Sequence, residues 1–318
     1  MRSLPVISAL VVSALAMTVP IACAQNFPSR PLRIVTAEPG GGNDVMARLI
    51  AAGLTANLGQ PVIVENRPSG PIPRNIVIKA PPDGHTVLFS TGGFWLLPSP
   101  NEKLDVFRDF SPVTLANTQP SILVVHPSST VNSVKELIAL AKAKPGELNY
   151  SSGATGSSSH LATELFKFMA GVDIVRIPYK GAGPAVAGLV ANQVHMMIAT
   201  ASSVTPHITA RRLKALAVSS AQPSELLPGL PSMASAGVPG YEAVAMFGVF
   251  APGKTPPNLV RRLQQEFARV LHQPEIKEKF TAIGVEVVGS TPEAFVATIK
   301  ADMARLGKVI KAAGIKAE

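Results

Sequence analysis

The chain of 318 residues holds one cysteine, Cys23, six histidines and one tryptophan; charged residues make up 15% of it and aromatics 5%. Each scarcity excludes something. A single thiol forms no internal disulfide, so stability must come from core size. The histidines at 85, 126, 160, 195, 207 and 272 show neither H-x-H nor H-E-x-x-H spacing, so no metal site and no cofactor is expected. The 29 Lys+Arg outnumber the 20 Asp+Glu, but they form no dense run and lack interleaved aromatics. Stacking platforms for nucleic acid are therefore absent, and no nucleic-acid partner is expected. No Gly-Lys-Ser/Thr follows a glycine-rich loop, and no serine sits in G-x-S-x-G, so neither a nucleotide P-loop nor a hydrolase elbow is visible and no catalytic residue is assigned. A secreted hydrolase whose triad is assembled only by folding stays open as a lesser alternative.

What is present is apolar: the hydrophobic set reaches 47%, enough for two cores at this length. Arg2, an apolar stretch from Leu4 to Ala22 and the small-x-small triplet Ala22-Cys23-Ala24 read as an export leader, residues 1–24. Pro5 and Pro20 leave about 14 uninterrupted apolar residues, short of the roughly 20 a membrane span needs. Acylation at Cys23 is the competing reading of the same triplet.

Downstream, short β-branched runs alternate with amphipathic stretches: LRIVT (32–36), VIVE (62–65), TVLFS (86–90), ILVVH (122–126), VRIP (175–178), HMMIA (195–199), LKALAVS (213–219) and FGVFA (247–251). This alternation predicts an α/β fold with mainly parallel sheets flanked by helices. Apolar residues at helical spacing follow Asn43 and Leu161; Ser133 with Glu136 forms a capping box; Pro184, Pro257 and Pro292 mark first turns, with Thr291 capping the last. Polar Pro/Gly stretches before ILVVH and FGVFA predict one lobe from 25–121 plus 247–318 and a second from 122–246, with two strands crossing a hinge.

Two strand-to-helix turns carry the chemistry. In PGGGND (39–44), three glycines let backbone N–H groups face a ligand at a helix start, an arrangement suited to a carboxylate or phosphate. The same glycines would also serve a plain tight turn. In SSGATGSSSH (151–160), Gly153 and Gly156 free the backbone while Ser157, Ser158 and Ser159 offer hydroxyls, or merely cap the helix. Asp44 and Arg48, four apart, read as an ion pair. His160 reads as structural, while Phe94 and Trp95 either pack or line a pocket. One nest in each lobe implies a cleft that clamps an acidic small molecule.

The segments PGGGNDVMARLIA, LGQPVIVENRP, APPDGHT, LNYSSGATGSSSHLATELFKFMAGVD, IPYKGAGPA and LPSMASAGVPGYE, in this order, resemble the extracytoplasmic receptors of tripartite tricarboxylate transporters, the Bug family, across essentially all of the chain after the leader. The resemblance implies a periplasmic, venus-flytrap binding protein that hands a small organic acid to membrane permease subunits. A monomer is expected. A ligand-dependent sensor partner of a membrane receptor is the alternative role. By resemblance, ligand contacts fall on Gly41, Gly42, Asn43 and Asp44, on Gly156, Ser157, Ser158 and Ser159, and on Thr91 and Gly92; Thr200 is added at the end of HMMIA. Two departures stand out. After ENRP the family usually continues like PGAGGNIGA, whereas this chain reads SGPIPRNIV (69–77). Relatives often carry Asp-Asn where this chain has Ala199-Thr200, which disfavours amino-acid ligands.

Overall fold

The computed structural model describes residues 27–68, 70–97, 104–312 and 314–315. The expected leader, with Cys23, and Ser69 of the altered segment lie outside the described residues. The strands are β1 (Leu32–Thr36), β2 (Val62–Asn66), β3 (Thr86–Thr91), β4 (Phe110–Val125), β5 (Asn149–Ser152), β6 (Val175–Pro178), β7 (Met196–Thr200), β8 (Lys214–Val218), β9 (Val244–Pro252) and β10 (Glu286–Val287). The helices are α1 (Gly42–Leu58), α2 (Pro71–Ile78), α3 (Gly93–Leu96), α4 (Val106–Asp109), α5 (Val134–Ala143), α6 (Ser158–Ala170), α7 (Ala182–Val190), α8 (Ala201–Thr209), α9 (Pro257–Leu271), α10 (Pro274–Thr281) and α11 (Pro292–Ala312).

The strands form two sheets joined through one of them. The first runs β2-β1-β3-β9-β4, with β10 also on β4; the second runs β4-β7-β5-β6, with β8 also on β4. The expected parallel pairs are present as β2-β1-β3 and as β7-β5-β6. Antiparallel pairing is added by β4, β8, β9 and β10, so each sheet is mixed. β4 is longer than its ILVVH segment suggests. Its first part, through Pro120, pairs with β9, and from Ser121 it pairs with β7 and β8. Pro112 and Pro120 and the polar Thr114, Asn117 and Gln119 hid this stretch from pattern reading, because prolines and polar residues argue against a buried strand. The chain returns at Val244, opposite Pro120. Buried Ser219 clasps both passages: its Oγ accepts from the Ser121 N–H at 2.7 Å and donates to the Ala243 carbonyl at 2.6 Å.

Alternation along the strands supplies a core on each face. In the second sheet, Leu123 and Val125 pack with Leu137, Phe166 and Tyr241, whereas Ile122 and Val124 pack with Val186, Leu189 and Val204. In the first sheet, Ile34, Met46, Phe247 and Phe267 fill one face, and Val35, Trp95, Phe250 and Phe295 the other. Local signals behave as read at several helix starts. Ser133 accepts from the Glu136 N–H, Pro257 opens α9, and Thr291 Oγ1 accepts from the Ala294 N–H at 3.2 Å. Pro184 lies in the first turn of α7, which begins two residues earlier.

Gly248 on β9 is required by packing: a Cβ there would overlap the ring of fully buried Phe295 on α11. Gly248→Ala should lower stability by about 1–3 kcal/mol, the usual cost of overpacking a dense core. Urea unfolding checks this, and an unchanged midpoint would contradict the packing.

Candidate binding site

Between the two sheets lies a cavity of about 160 Å³. At about 10–15 Å³ for each water it has room for roughly ten waters, the scale of a small organic molecule. Nine of the residues expected from the sequence line it: Gly41, Gly42, Asn43, Thr91, Gly156, Ser157, Ser158, Ser159 and Thr200. Their contact with a ligand is taken up below. Two expected residues are placed elsewhere, Asp44 and Gly92.

Asp44 is buried under the glycine turn rather than facing the cavity. Its carboxylate accepts from the Gly40 N–H (3.0 Å), Asn66 Nδ2 (2.9 Å) and Arg48 Nε (2.8 Å). The expected Asp44–Arg48 pair is therefore formed, and it braces the loop. With Asp44 tied off, the cavity side of the turn presents backbone. Gly41 caps α1 with no side-chain hydrogen bond, and the first N–H groups of a helix have no carbonyl one turn back. Gly42 must lack a side chain, because a Cβ would stand 2.9 Å from both Thr200 Oγ1 at the end of β7 and Ser202 Oγ on α8.

The serine turn is similarly ordered from within. Ser157 Oγ accepts from the His160 N–H, Ser159 Oγ accepts from the Gly153 N–H at 3.1 Å, and the Gly156 N–H donates to His160 Nδ1 at 3.1 Å. His160 is buried and structural, as its place on the first helical turn suggested. Ser158 Oγ, Asn43 and Thr91 make no side-chain hydrogen bond among the described residues, so they can serve a ligand. Sequence reasoning missed the residue that holds this turn from behind, Arg176 on β6. Its guanidinium donates to Ser152 Oγ (2.8 Å), Thr155 Oγ1 (3.0 Å) and the Gly153 carbonyl (3.1 Å). An arginine inside the short strand VRIP was the available signal. Ser90, Glu38 and Arg74 also line the cavity and were not anticipated.

Both flanks of the cleft are in contact. A Cβ on Gly93 would overlap the Gly156 carbonyl, and one on Gly183 would lie 2.7 Å from the Pro39 carbonyl. Backbone thus meets backbone across the cleft, with glycine on the meeting edges.

Gly92 opens α3 and lines a smaller cavity of about 60 Å³, beside α6, α11 and the start of β9. Phe94 both lines the main cavity and packs on Phe110 and Phe250. Trp95 packs in the core and donates through Nε1 to Asp302 Oδ2 at 2.8 Å.

This fold and cleft, two α/β lobes closing on one polar cavity, define a solute-binding protein. The profile of the tripartite tricarboxylate transporter family receptor, TctC, matches residues 46–315, and the chain belongs to this family of periplasmic receptors. Among relatives, BugT of Bordetella pertussis is 37% identical over 302 residues, covering 92% of each chain. R. palustris Rpa4515, solved with adipate, shares 38% identity at a TM-score of 0.88, covering 91% of this chain and 99% of its own. MatC from Rhodopseudomonas palustris, solved with bound malate, shares 28% identity at a TM-score of 0.84, covering 89% and 100%.

Burial raises the Asp302 carboxyl above its ordinary value, against the lowering effects of the Trp95 hydrogen bond and the Arg305 charge. The folded chain therefore binds this proton more tightly than the unfolded chain does. The resulting stability is present below the ordinary value of 3.8 and is lost as pH rises through the raised one. Asp302→Asn keeps an acceptor for Trp95 and removes the buried charge. It should raise the melting temperature at pH 7.5, with the gain shrinking as pH approaches 4. A gain that stays constant with pH would contradict this account.

Proposed function

We propose that the chain is exported, loses residues 1–24, and works in the periplasm as a monomeric receptor. It captures a carboxylated small molecule between its lobes and delivers it to the permease subunits of a tripartite tricarboxylate transporter. The observation that carries this reading is the meeting of two helix starts, from α1 and α6, on one cavity. Each helix end favours an anion by roughly 0.3–2 kcal/mol, and each hydrogen bond to a charged group adds about 1.5–3 kcal/mol. A few such bonds, less ordering costs, suffice for the roughly 8 kcal/mol of a micromolar ligand. The adipate and malate held by the two R. palustris relatives support a carboxylate. The ligand contacts proposed are Gly41, Gly42, Asn43, Thr91, Gly156, Ser157, Ser158, Ser159 and Thr200. Asp44 acts by bracing the first turn.

The lobe division at 25–121 with 247–318 against 122–246 follows the passage of β4 between sheets after Pro120 and the return at Val244. The role is capture and release, with no bond made or broken.

Calorimetry of the ligand-stripped protein against mono-, di- and tricarboxylates tests the reading; binding of none of them would overturn it. Ser158→Ala should weaken the best acid by about tenfold or more, the worth of one hydrogen bond to a charged group. Unchanged affinity would remove that hydroxyl from the site. Gly93→Ala should hold the lobes apart, weakening every acid while leaving the melting temperature of the empty protein near wild type. Wild-type affinity in that variant would refute the closed cleft as the binding state.

A further inference from the structure

α8 begins without a side-chain cap of its own. Thr200, at the N-cap position, makes no hydrogen bond to the helix backbone, and its hydroxyl is engaged with Ser203 Oγ at 2.8 Å. A helix start leaves its first N–H groups without carbonyl partners, and an N-cap side chain normally answers the second or third of them. Here the acceptor comes from the other sheet. Oε1 of Gln119, on the first part of β4, accepts from the Ser202 N–H at 2.8 Å. Gln119 stands opposite Ala245 of β9, two residues before β4 begins to pair with β7.

This amide lies in an apolar layer. Asn117 and Gln119 share one face of β4, opposite Phe247 and Ala245, which belong to the core around Met46 and Phe267. Both are fully buried, and among the described residues neither Gln119 Nε2 nor either amide atom of Asn117 has a hydrogen-bond partner. A polar side chain in such a layer lowers stability unless the bond it makes offsets the loss. For Gln119 that bond is the one to α8.

The cap holds part of the cavity wall. Thr200 and Ser203 line the main cavity, and Thr200 Oγ1 and Ser202 Oγ form the surface on which Gly42 sits. The start of α8 therefore touches both the ligand space and the glycine turn of α1. Gln119 itself does not line the cavity.

We propose that Gln119 is a positioning residue for ligand capture: it caps α8 from the first sheet, and so fixes Thr200 and Ser203 in the cavity wall and the seat of Gly42 behind it. The proposal rests on the carboxylate-capture reading and adds to it a residue that acts without touching the ligand.

The test combines calorimetry with acetate, succinate, adipate and citrate, the melting temperature of the empty protein, and hydrogen–deuterium exchange at the Ser202 amide. Gln119→Met keeps the shape and removes the acceptor. It exchanges one buried orphan, Nε2, for another, the Ser202 N–H, so the melting temperature should stay within about 3 °C of wild type. Affinity for the tightest of the four acids should fall about threefold to thirtyfold, the worth of one helix cap. The Ser202 amide should exchange about tenfold faster. Gln119→Asn, one methylene short of Ser202, should lose affinity in the same way, and it carries the test if the methionine variant does not fold. Asn117→Leu removes an amide that holds nothing, so it should keep wild-type affinity and exchange. Wild-type affinity in Gln119→Met and Gln119→Asn would overturn the proposal and leave acid capture standing. An equal loss of affinity in Asn117→Leu would overturn it as well, by tracing the effect to packing of the layer. Absence of binding of all four acids by wild type would refute both readings together.

Discussion

The structure depends on two helix starts, drawn from different sheets, being held with their N–H groups toward a common space. Each turn is tied from behind by a charged side chain, and the serine turn also by its own Ser157, Ser159 and His160. Asp44 collects three donors beneath the glycine turn, and Arg176 donates to three oxygens beneath the serine turn. The two braces have opposite charge and the same effect: hydrogen-bonding capacity that would compete with a ligand is consumed on the far side of each loop. The cavity face then presents amides and hydroxyls whose orientation is decided before any guest arrives, which lowers the ordering cost of binding.

Much of this was legible in the sequence because it is local. Glycine triplets after a β-branched run, serines before an apolar helical stripe, and a capping box at Ser133 each act within a few residues. The parts that escaped are those whose meaning comes from distant partners. Asp44 read as an ion pair, and by resemblance as a ligand contact, because its i,i+4 arginine was visible, whereas its partner Asn66 and its burial beneath the turn were not. Arg176 sits on a short strand whose parallel neighbour, β5, carries the serine turn. Arg74 belongs to a helix that begins at a glycine of positive φ and contains two prolines, so its apolar period was too short to see. The first part of β4 escaped for a different reason. Its prolines and polar side chains contradict the pattern of a buried strand, and only pairing with β9 makes them one.

The glycines of the cleft edges show how a backbone can be specific without side chains. Gly42 against Thr200 and Ser202, Gly93 against Gly156, and Gly183 against Pro39 bring main chain to within contact distance across the lobes. Contacts this close leave no room for side chains on the meeting edges. Recognition by amides and hydroxyls alone is generic for carboxylates, so selectivity falls to the few side chains that differ from this background.

Ser219 bears on how such a molecule can move. One buried hydroxyl fastens the outgoing and the returning chain together at the place where both leave one half for the other. Sliding one passage past the other would break both of the hydroxyl's hydrogen bonds. With the backbone bonds beside it, the hydroxyl makes the two passages a single piece, so whatever moves one half carries both strands together.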